Sequence, residues 1–328
     1  MTPVDATVTP DPVVDPAGWL RGRVRGTVRA DASLAGHTTL KVGGPARVLV
    51  EAETEGDLAA VGELVALARL PTLVVGRGSN LLIADGGFPG VVVSLGRGFR
   101  GVEVRDEGDR VVARAGAAEP LPALAVRLAD AGCGGVAWAA AVPGSLGGAV
   151  RMNAGAHGGE MVDHLVEAEV FRLSSRTRET WTREALGMRY RRTALPSDGV
   201  VLGATLAFDR ADAEAIREEI AEIRAWRREH QPINQPNCGS VFTNPPGDSA
   251  GRLIDTAGCK GLRVGGASVS ELHANFVVTE PGARASDVRD LIAAVRHRVS
   301  QVHGVDLHPE VVVVDAAGWD QRERTDEP

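Results

Sequence analysis

Residues 142–159 read VPGSLGGAVRMNAGAHGG, a run with almost no bulky side chains. Such a run cannot build a core, so its exposed backbone must lie close against something flat or highly charged. A large bound cofactor is the economical answer. The alternative, a flexible glycine linker, conflicts with the interposed apolar residues and with Asn153. His157 falls inside the run, where a lone loop histidine is more often a hydrogen-bonding or surface residue than a ligand.

A second segment, Leu73-Val74-Val75-Gly76-Arg77-Gly78-Ser79-Asn80, leaves an apolar strand and enters a Gly-Ser-Asn turn. Glycines let successive backbone N–H groups converge, and Ser79 and Asn80 add side-chain donors, so the turn suits a pyrophosphate. A plain tight turn after a strand explains the same letters, and the signal alone is weak. It is not a Rossmann fingerprint, because GxGxxG opening a helix is missing, and no GxxxxGK[ST] loop occurs either.

The chain has 328 residues, 44% hydrophobic and 24% charged, enough for roughly two globular domains. Collagen-like, mucin-like and wholly disordered readings are excluded. The formal net charge of −7 leaves no global positive field to hold nucleic acid or an anionic membrane. Every basic residue except Lys41 and Lys260 is arginine, which leaves few candidates for Schiff-base chemistry. Cys133, Cys238 and Cys259 are widely spaced, with no CxxC pair to suggest zinc or a redox dithiol. No metal is expected. The first eighteen residues carry no Lys or Arg and no continuous apolar stretch, so no secretory signal is read there. A cytoplasmic protein in a reducing compartment, with no membrane span, is the expectation.

The pattern predicts an α+β chain. Between residues 38 and 209 short β-type runs alternate with Gly turns, interrupted by two helices. One follows Thr54, with Asp57 as an N-terminal cap and Leu58, Val61, Val65 and Ala68 on one face. The other spans residues 120–131. Composition changes at Asp209, after which Ile216, Ile220 and Ile223 recur at helical spacing amid charges. A last helix is predicted from Ser286 as its cap to Gly304, with Val288, Leu291, Ile292, Val295, Val299 and Val302 in one stripe. A buried strand over 311–314 follows. The expected division is a flexible tail over 1–18, a two-lobed domain over 19–209, a smaller C-terminal α+β domain over 210–316, and a second tail over 317–328.

GRGSNLLIAD and VPGSLGGAVRMNAGAHGGEM, with the earlier HTTLKVGGPA over residues 37–46, resemble the UDP-N-acetylenolpyruvoylglucosamine reductase family. The likeness covers nearly all of residues 37–314. It implies FAD held non-covalently by a two-lobed domain of the vanillyl-alcohol-oxidase (PCMH) type, with a smaller substrate-binding domain behind it. By the same resemblance Gly76, Arg77, Gly78, Ser79 and Asn80 from the first segment line the cofactor. Gly144, Ser145, Gly147, Gly148, Asn153, Ala154 and Gly155 do so from the second.

Three further motifs, Tyr190-Arg191, Gly239-Ser240-Val241-Phe242 and His308-Pro309-Glu310, match the positions of the family's catalytic Arg, Ser and Glu. Taken singly they would be a surface charge, a turn hydroxyl and a strand-edge carboxylate. Their joint occurrence in the family's order points to function. The implied reaction reduces an enol ether conjugated to a carboxylate, hydride passing from flavin N5 to the terminal methylene carbon. Negative charge then develops on the carboxylate as an enolate, where an always-charged Arg191 stabilises it. Glu310 would polarise or orient the same group, and in a protonated form could donate to it. Ser240 is the expected proton donor to the neighbouring carbon.

The resemblance also assigns Tyr190, Asn244, Arg252, His273 and Asn275 to the UDP-sugar. Thr243 stands where many relatives have lysine, and Arg227 or Arg228 would compensate; each is otherwise a solvated helix end. The short connection from 199 to 244 lacks the inserted tyrosine-bearing loop of one subtype, so the chain is similar to the shorter one. NADPH is the implied hydride donor and UDP-N-acetylglucosamine enolpyruvate the implied partner, acting on a monomer with no nucleic acid bound. The chain lacks a Rossmann motif, so both would use one pocket in turn. Two rivals remain at this stage: a flavin oxidase or dehydrogenase acting on a free sugar or alcohol, and a catalytically silent nucleotide-binding descendant. The first lacks its expected base and covalent flavin link, and retention of Arg191, Ser240 and Glu310 speaks against the second.

Overall fold

The computed structural model describes residues 10–319. Alternating apolar runs separated by glycine turns form two sheets in the first two-thirds of the chain. In the first lobe the strand Pro45–Ala52 pairs antiparallel with Thr27–Ser33 and parallel with Phe88–Leu95, which in turn pairs parallel with Thr72–Val74. The helix Glu55–Ala68 packs on this sheet through Leu58, Val61 and Leu64. Its cap is Thr54, whose hydroxyl accepts from the Asp57 N–H, rather than Asp57 itself. The buried Asp57 carboxylate instead accepts from the N–H groups of Arg25, Gly26 and Glu53 and from the Thr54 hydroxyl. Burial acts to raise its pKa, but these hydrogen bonds outweigh it and hold the carboxyl below its ordinary value.

The second lobe is a five-stranded antiparallel sheet in the order Thr177–Thr182, Leu165–Arg172, Gly199–Asp209, Arg110–Gly116, Val102–Asp106. The helices Leu121–Asp130 and Leu146–Met152 cover it. The helix Ala213–His230 also belongs here, since Ile216, Ile220 and Ile223 join this lobe's core. The packing therefore changes body near residue 231, not at the compositional break after Asp209. Composition registers how charged a helix is; which sheet its apolar stripe covers is a tertiary matter.

The C-terminal body is a four-stranded antiparallel sheet with the helices Ala250–Thr256 and Ala285–His303. The last helix is capped by Arg284 rather than Ser286, and Val302 is exposed rather than in its stripe. Asp85 of the first lobe supplies the acceptors, taking the N–H groups of Ala285 (2.7 Å) and Ser286 (3.1 Å). Further stitches join the two bodies. Val312–Asp315 pairs parallel with Leu81–Ile83, and the buried Thr279 hydroxyl donates to the Leu40 carbonyl at 2.6 Å.

At the ends the structure departs from the expected tails. Pro16–Leu20 is helical with Ala17, Trp19 and Leu20 buried, and Gly318–Trp319 pairs with the preceding strand. Of the expected tails, residues 1–9 and 320–328 lie outside the described residues. Among the described residues no helix is long and apolar enough to cross a membrane.

Candidate active site

A cavity of about 800 Å³ lies between the two lobes and the C-terminal body. It is near the upper end of the roughly 300–1,000 Å³ typical of ligand sites. Its lining runs from Glu51 and Arg100 on the first lobe to Asn237, Ser240 and Asn244 of the C-terminal body.

One wall is bare backbone, contributed by both glycine segments. Gly76, Arg77, Gly78, Ser79 and Asn80 line it from the first lobe, and Gly144, Ser145, Gly147, Gly148, Ala154 and Gly155 from the second. The segments meet at Gly76, where a Cβ would stand 2.5 Å from Ser145 Oγ. Gly78 adopts φ +61°, and a Cβ there would lie 2.0 Å from the His37 carbonyl oxygen. Only glycine fits that turn. Ser145 caps the helix Leu146–Met152, its hydroxyl accepting from the Gly148 N–H at 3.3 Å. The donors, the closeness of the backbone and the cavity's size all fit a flat dinucleotide such as FAD.

Side chains from three separate segments complete the lining. Arg191 Nε donates to Glu310 Oε1 at 3.0 Å, with both side chains largely buried. The Glu310 N–H donates to the Val241 carbonyl at 2.7 Å, and Thr243 N–H donates to the His308 carbonyl, so the Ser240 and Glu310 segments are zipped together. Asn80, in the first glycine segment, donates from Nδ2 to the Glu310 carbonyl at 3.1 Å. Glycine cradle and carboxylate are thereby fixed to one another. Arg191, Ser240 and Glu310 all line the same cavity.

Tyr190 and Asn244 also line it, and the backbone of Asn244 meets the Tyr190 hydroxyl. Burial and then the Glu310 carboxylate raise the pKa of that phenol, so it stays neutral and able to donate a hydrogen bond at pH 7. Cys238 lies two residues before Ser240; burial pushes its thiol up to about 12, which keeps it protonated and unreactive.

Four expected residues do not line the cavity. Arg252 is exposed and paired with Asp248, Nε to Oδ1 at 2.7 Å. His273 accepts the Asn275 N–H on Nδ1 and sets its ring edge against Phe276. Asn275 is buried and clamps the backbone of Phe242 from both sides, accepting its N–H (2.9 Å) and donating to its carbonyl (2.8 Å). Asn153 is 1% exposed and bonds to neighbouring protein groups. These amides hold loops in place.

Of the two arginines weighed against the absent lysine, Arg227 reaches the cavity and Arg228 is exposed elsewhere. Arg227 Nε donates to Gln231 Oε1 at 2.8 Å, and burial lowers its pKa. Among the described residues no carboxylate pairs with it. A half-buried cation that faces the cavity and has no carboxylate partner among the described residues suits an anionic ligand. Trp226 and Arg151 line the cavity as well and were not singled out in the sequence. Each had a faint signal: a tryptophan on the charged face of a helix, and the single arginine inside the glycine-rich run.

A glycine-lined cavity between two lobes that fits a dinucleotide, with charged side chains in the same lining, is the site of an FAD-dependent oxidoreductase. Comparison with known proteins agrees: residues 46–180 match the FAD binding domain, and residues 231–314 match the UDP-N-acetylenolpyruvoylglucosamine reductase C-terminal domain. The reductase of that name from Bacillus velezensis is 40% identical over 297 residues, covering 90% of this chain and 96% of its relative. A reductase of the same name from Methylorubrum extorquens is 43% identical, covering 88% and 92%. The crystal structure of the Thermus caldophilus reductase, MurB, superimposes with a TM-score of 0.74 at 38% identity, covering 88% of this chain and 98% of that one. The chain belongs to the UDP-N-acetylenolpyruvoylglucosamine reductase family.

Proposed function

We propose that the protein reduces the enolpyruvyl group of UDP-N-acetylglucosamine enolpyruvate to give UDP-N-acetylmuramate, a peptidoglycan precursor, with NADPH as the electron source. The meeting of Arg191 and Glu310 at 3.0 Å, backbone-zipped to the Ser240 segment in the cavity that the glycine segments also line, carries this reading. When bound, FAD supplies the hydride relay between NADPH and the methylene carbon of the substrate.

The chain's residues supply the rest. Arg191 holds the enolpyruvyl carboxylate and opposes the negative charge that grows there as hydride arrives. Glu310 fixes the guanidinium at the cavity wall. Ser240 gives its proton to the carbon bearing the ether oxygen, which completes the addition of one hydride and one proton across the double bond. A serine hydroxyl is a weak acid, but an enolate is a strong enough base to take its proton when the two are aligned. Arg227 and Tyr190 suit the diphosphate and sugar.

The sequence carries no Rossmann motif, so NADPH and the sugar nucleotide take turns in one cavity. Parallel double-reciprocal lines from initial rates at varied NADPH and UDP-sugar are expected; intersecting lines reject simple alternation. Anaerobic stopped-flow absorbance is the direct test of the overall reading. NADPH should bleach the flavin and the enolpyruvyl substrate should restore it, and failure of the second step rejects the substrate assignment.

A further inference from the structure

Asn153 stands in the glycine-rich run yet does not line the cavity, and its amide is fully engaged. Nδ2 donates to Glu160 Oε2 (3.0 Å) and to the Arg189 carbonyl (3.1 Å), while Oδ1 accepts the Val162 N–H (2.9 Å). The same short segment encloses the guanidinium of Arg191. Nη1 donates to the Asn153 carbonyl (3.3 Å) and Nη2 to the Gly155 carbonyl (2.8 Å). Glu160 Oε1 lies 3.7 Å from Nη1. One carboxylate oxygen of Glu160 is thus held by Asn153 and the other faces Arg191.

Two features show that this arrangement is imposed. Arg191 has φ +54°, a left-handed conformation that a non-glycine residue keeps only where its surroundings over-determine it. The hairpin carrying Glu160 is pressed onto the buried Trp138, since a Cβ at Gly159 would lie 2.3 Å from Trp138 Cδ1. Arg151, two residues before Asn153, holds the far side of the Arg191 loop by donating to the carbonyls of Leu195 (3.0 Å) and Pro196 (2.8 Å). The end of the cradle helix therefore serves as the template for the loop that bears Arg191.

We infer that Asn153 and Glu160 are a positioning pair that sets the Arg191 guanidinium for the substrate carboxylate, an inference that rests on the role of Arg191 proposed above. Neither residue need touch FAD or substrate. Glu160→Gln keeps the shape and removes the charge. Asn153→Gly keeps the left-handed backbone and removes the amide.

The test uses the FAD-loaded enzyme and its Glu160→Gln, Asn153→Gly, Arg191→Lys and Glu160→Gln/Arg191→Lys variants. Each of the first two should slow reoxidation of reduced flavin by the enolpyruvyl substrate by about 10-fold, because a misaligned guanidinium loses its aim. Binding of UDP-N-acetylmuramate, followed by calorimetry, should weaken in parallel. Flavin content and bleaching by NADPH should change by less than ~2-fold. In the Arg191→Lys background the Glu160→Gln change should add less than ~2-fold, since the pair acts through Arg191. Equal slowing of both half-reactions, full additivity in the double variant, or a neutral Glu160→Gln beside a damaged Arg191→Lys overturns the positioning pair alone. An Arg191→Lys enzyme with unchanged reoxidation overturns the role of Arg191 and this inference with it.

Discussion

The two walls of the cavity are built by opposite means. The wall proposed to hold the cofactor is backbone: Gly76 and Gly78 from one segment and Gly144, Gly147 and Gly148 from another, all within short stretches of sequence. The wall proposed above to meet the substrate is side chain, with Arg191, Ser240 and Glu310 drawn from a loop, a strand and a strand edge that lie far apart in the chain. A surface that must pass close under a flat ring is made by deleting side chains, which leaves a continuous mark in the sequence. A surface that must place charge and a proton at defined points needs one residue from each of several segments, and each mark is a single letter.

If the substrate wall works as separate side chains, removing one should damage one half-reaction only. Ser240→Ala is expected to leave flavin bleaching by NADPH nearly intact while slowing reoxidation by the enolpyruvyl substrate at least ~10²-fold, read by stopped-flow absorbance. Equal damage to both steps would merge the two walls into one. The cofactor wall should fail differently. Gly78→Ala forces a Cβ against the His37 carbonyl at positive φ, so FAD affinity should drop roughly 10- to 100-fold in equilibrium dialysis of the apoprotein. An alanine variant that binds FAD normally would show that the turn does not hold the cofactor.

Arg227 sharpens the comparison, because it lines the cavity and among the described residues has no carboxylate partner. Arg227→Gln should raise the KM for the UDP-sugar about 10-fold with the flavin spectrum unchanged, the loss expected for one hydrogen bond to an anion. A changed spectrum with an unchanged KM would move Arg227 to the cofactor wall.

The smallest effect concerns the joint between the bodies. Burial acts to raise the pKa of Asp85, but its hydrogen bonds to Ser286 and Ala285 and the nearby Arg284 outweigh this and hold it below its ordinary value. A carboxylate with a lowered folded pKa stabilises fully above its unfolded pKa, near pH ~4, and that contribution disappears as pH falls through the folded value. Asp85→Ala should therefore cost about 1 kcal/mol in urea unfolding at pH 7, and the gap between variant and wild type should narrow below pH ~4. A gap independent of pH would mean that Asp85 acts through packing and not through its charge.

Much of this was written in the chain. The glycine runs marked where backbone lines the cavity, because absent side chains cannot be supplied by folding. Period-3.6 stripes placed the long helices but not the short Leu146–Met152 and Ala250–Thr256, and the Arg, Ser and Glu motifs could be matched in order. What the amides do was not legible. Asn80, Asn153 and Asn275 read as ligand contacts in sequence. The structure shows Asn80 lining the cavity while tying down Glu310, and it buries Asn153 and Asn275 as ties to the Arg191 and Phe242 loops. An asparagine's donor and acceptor serve a ligand or a neighbouring backbone equally well, and the letter is the same. Only the packing of the three bodies decided which partner each amide met, which of two adjacent arginines turned to the cavity, and which lobe received the helix Ala213–His230. Those outcomes depend on contacts between residues distant in sequence, and local propensity carries no record of them.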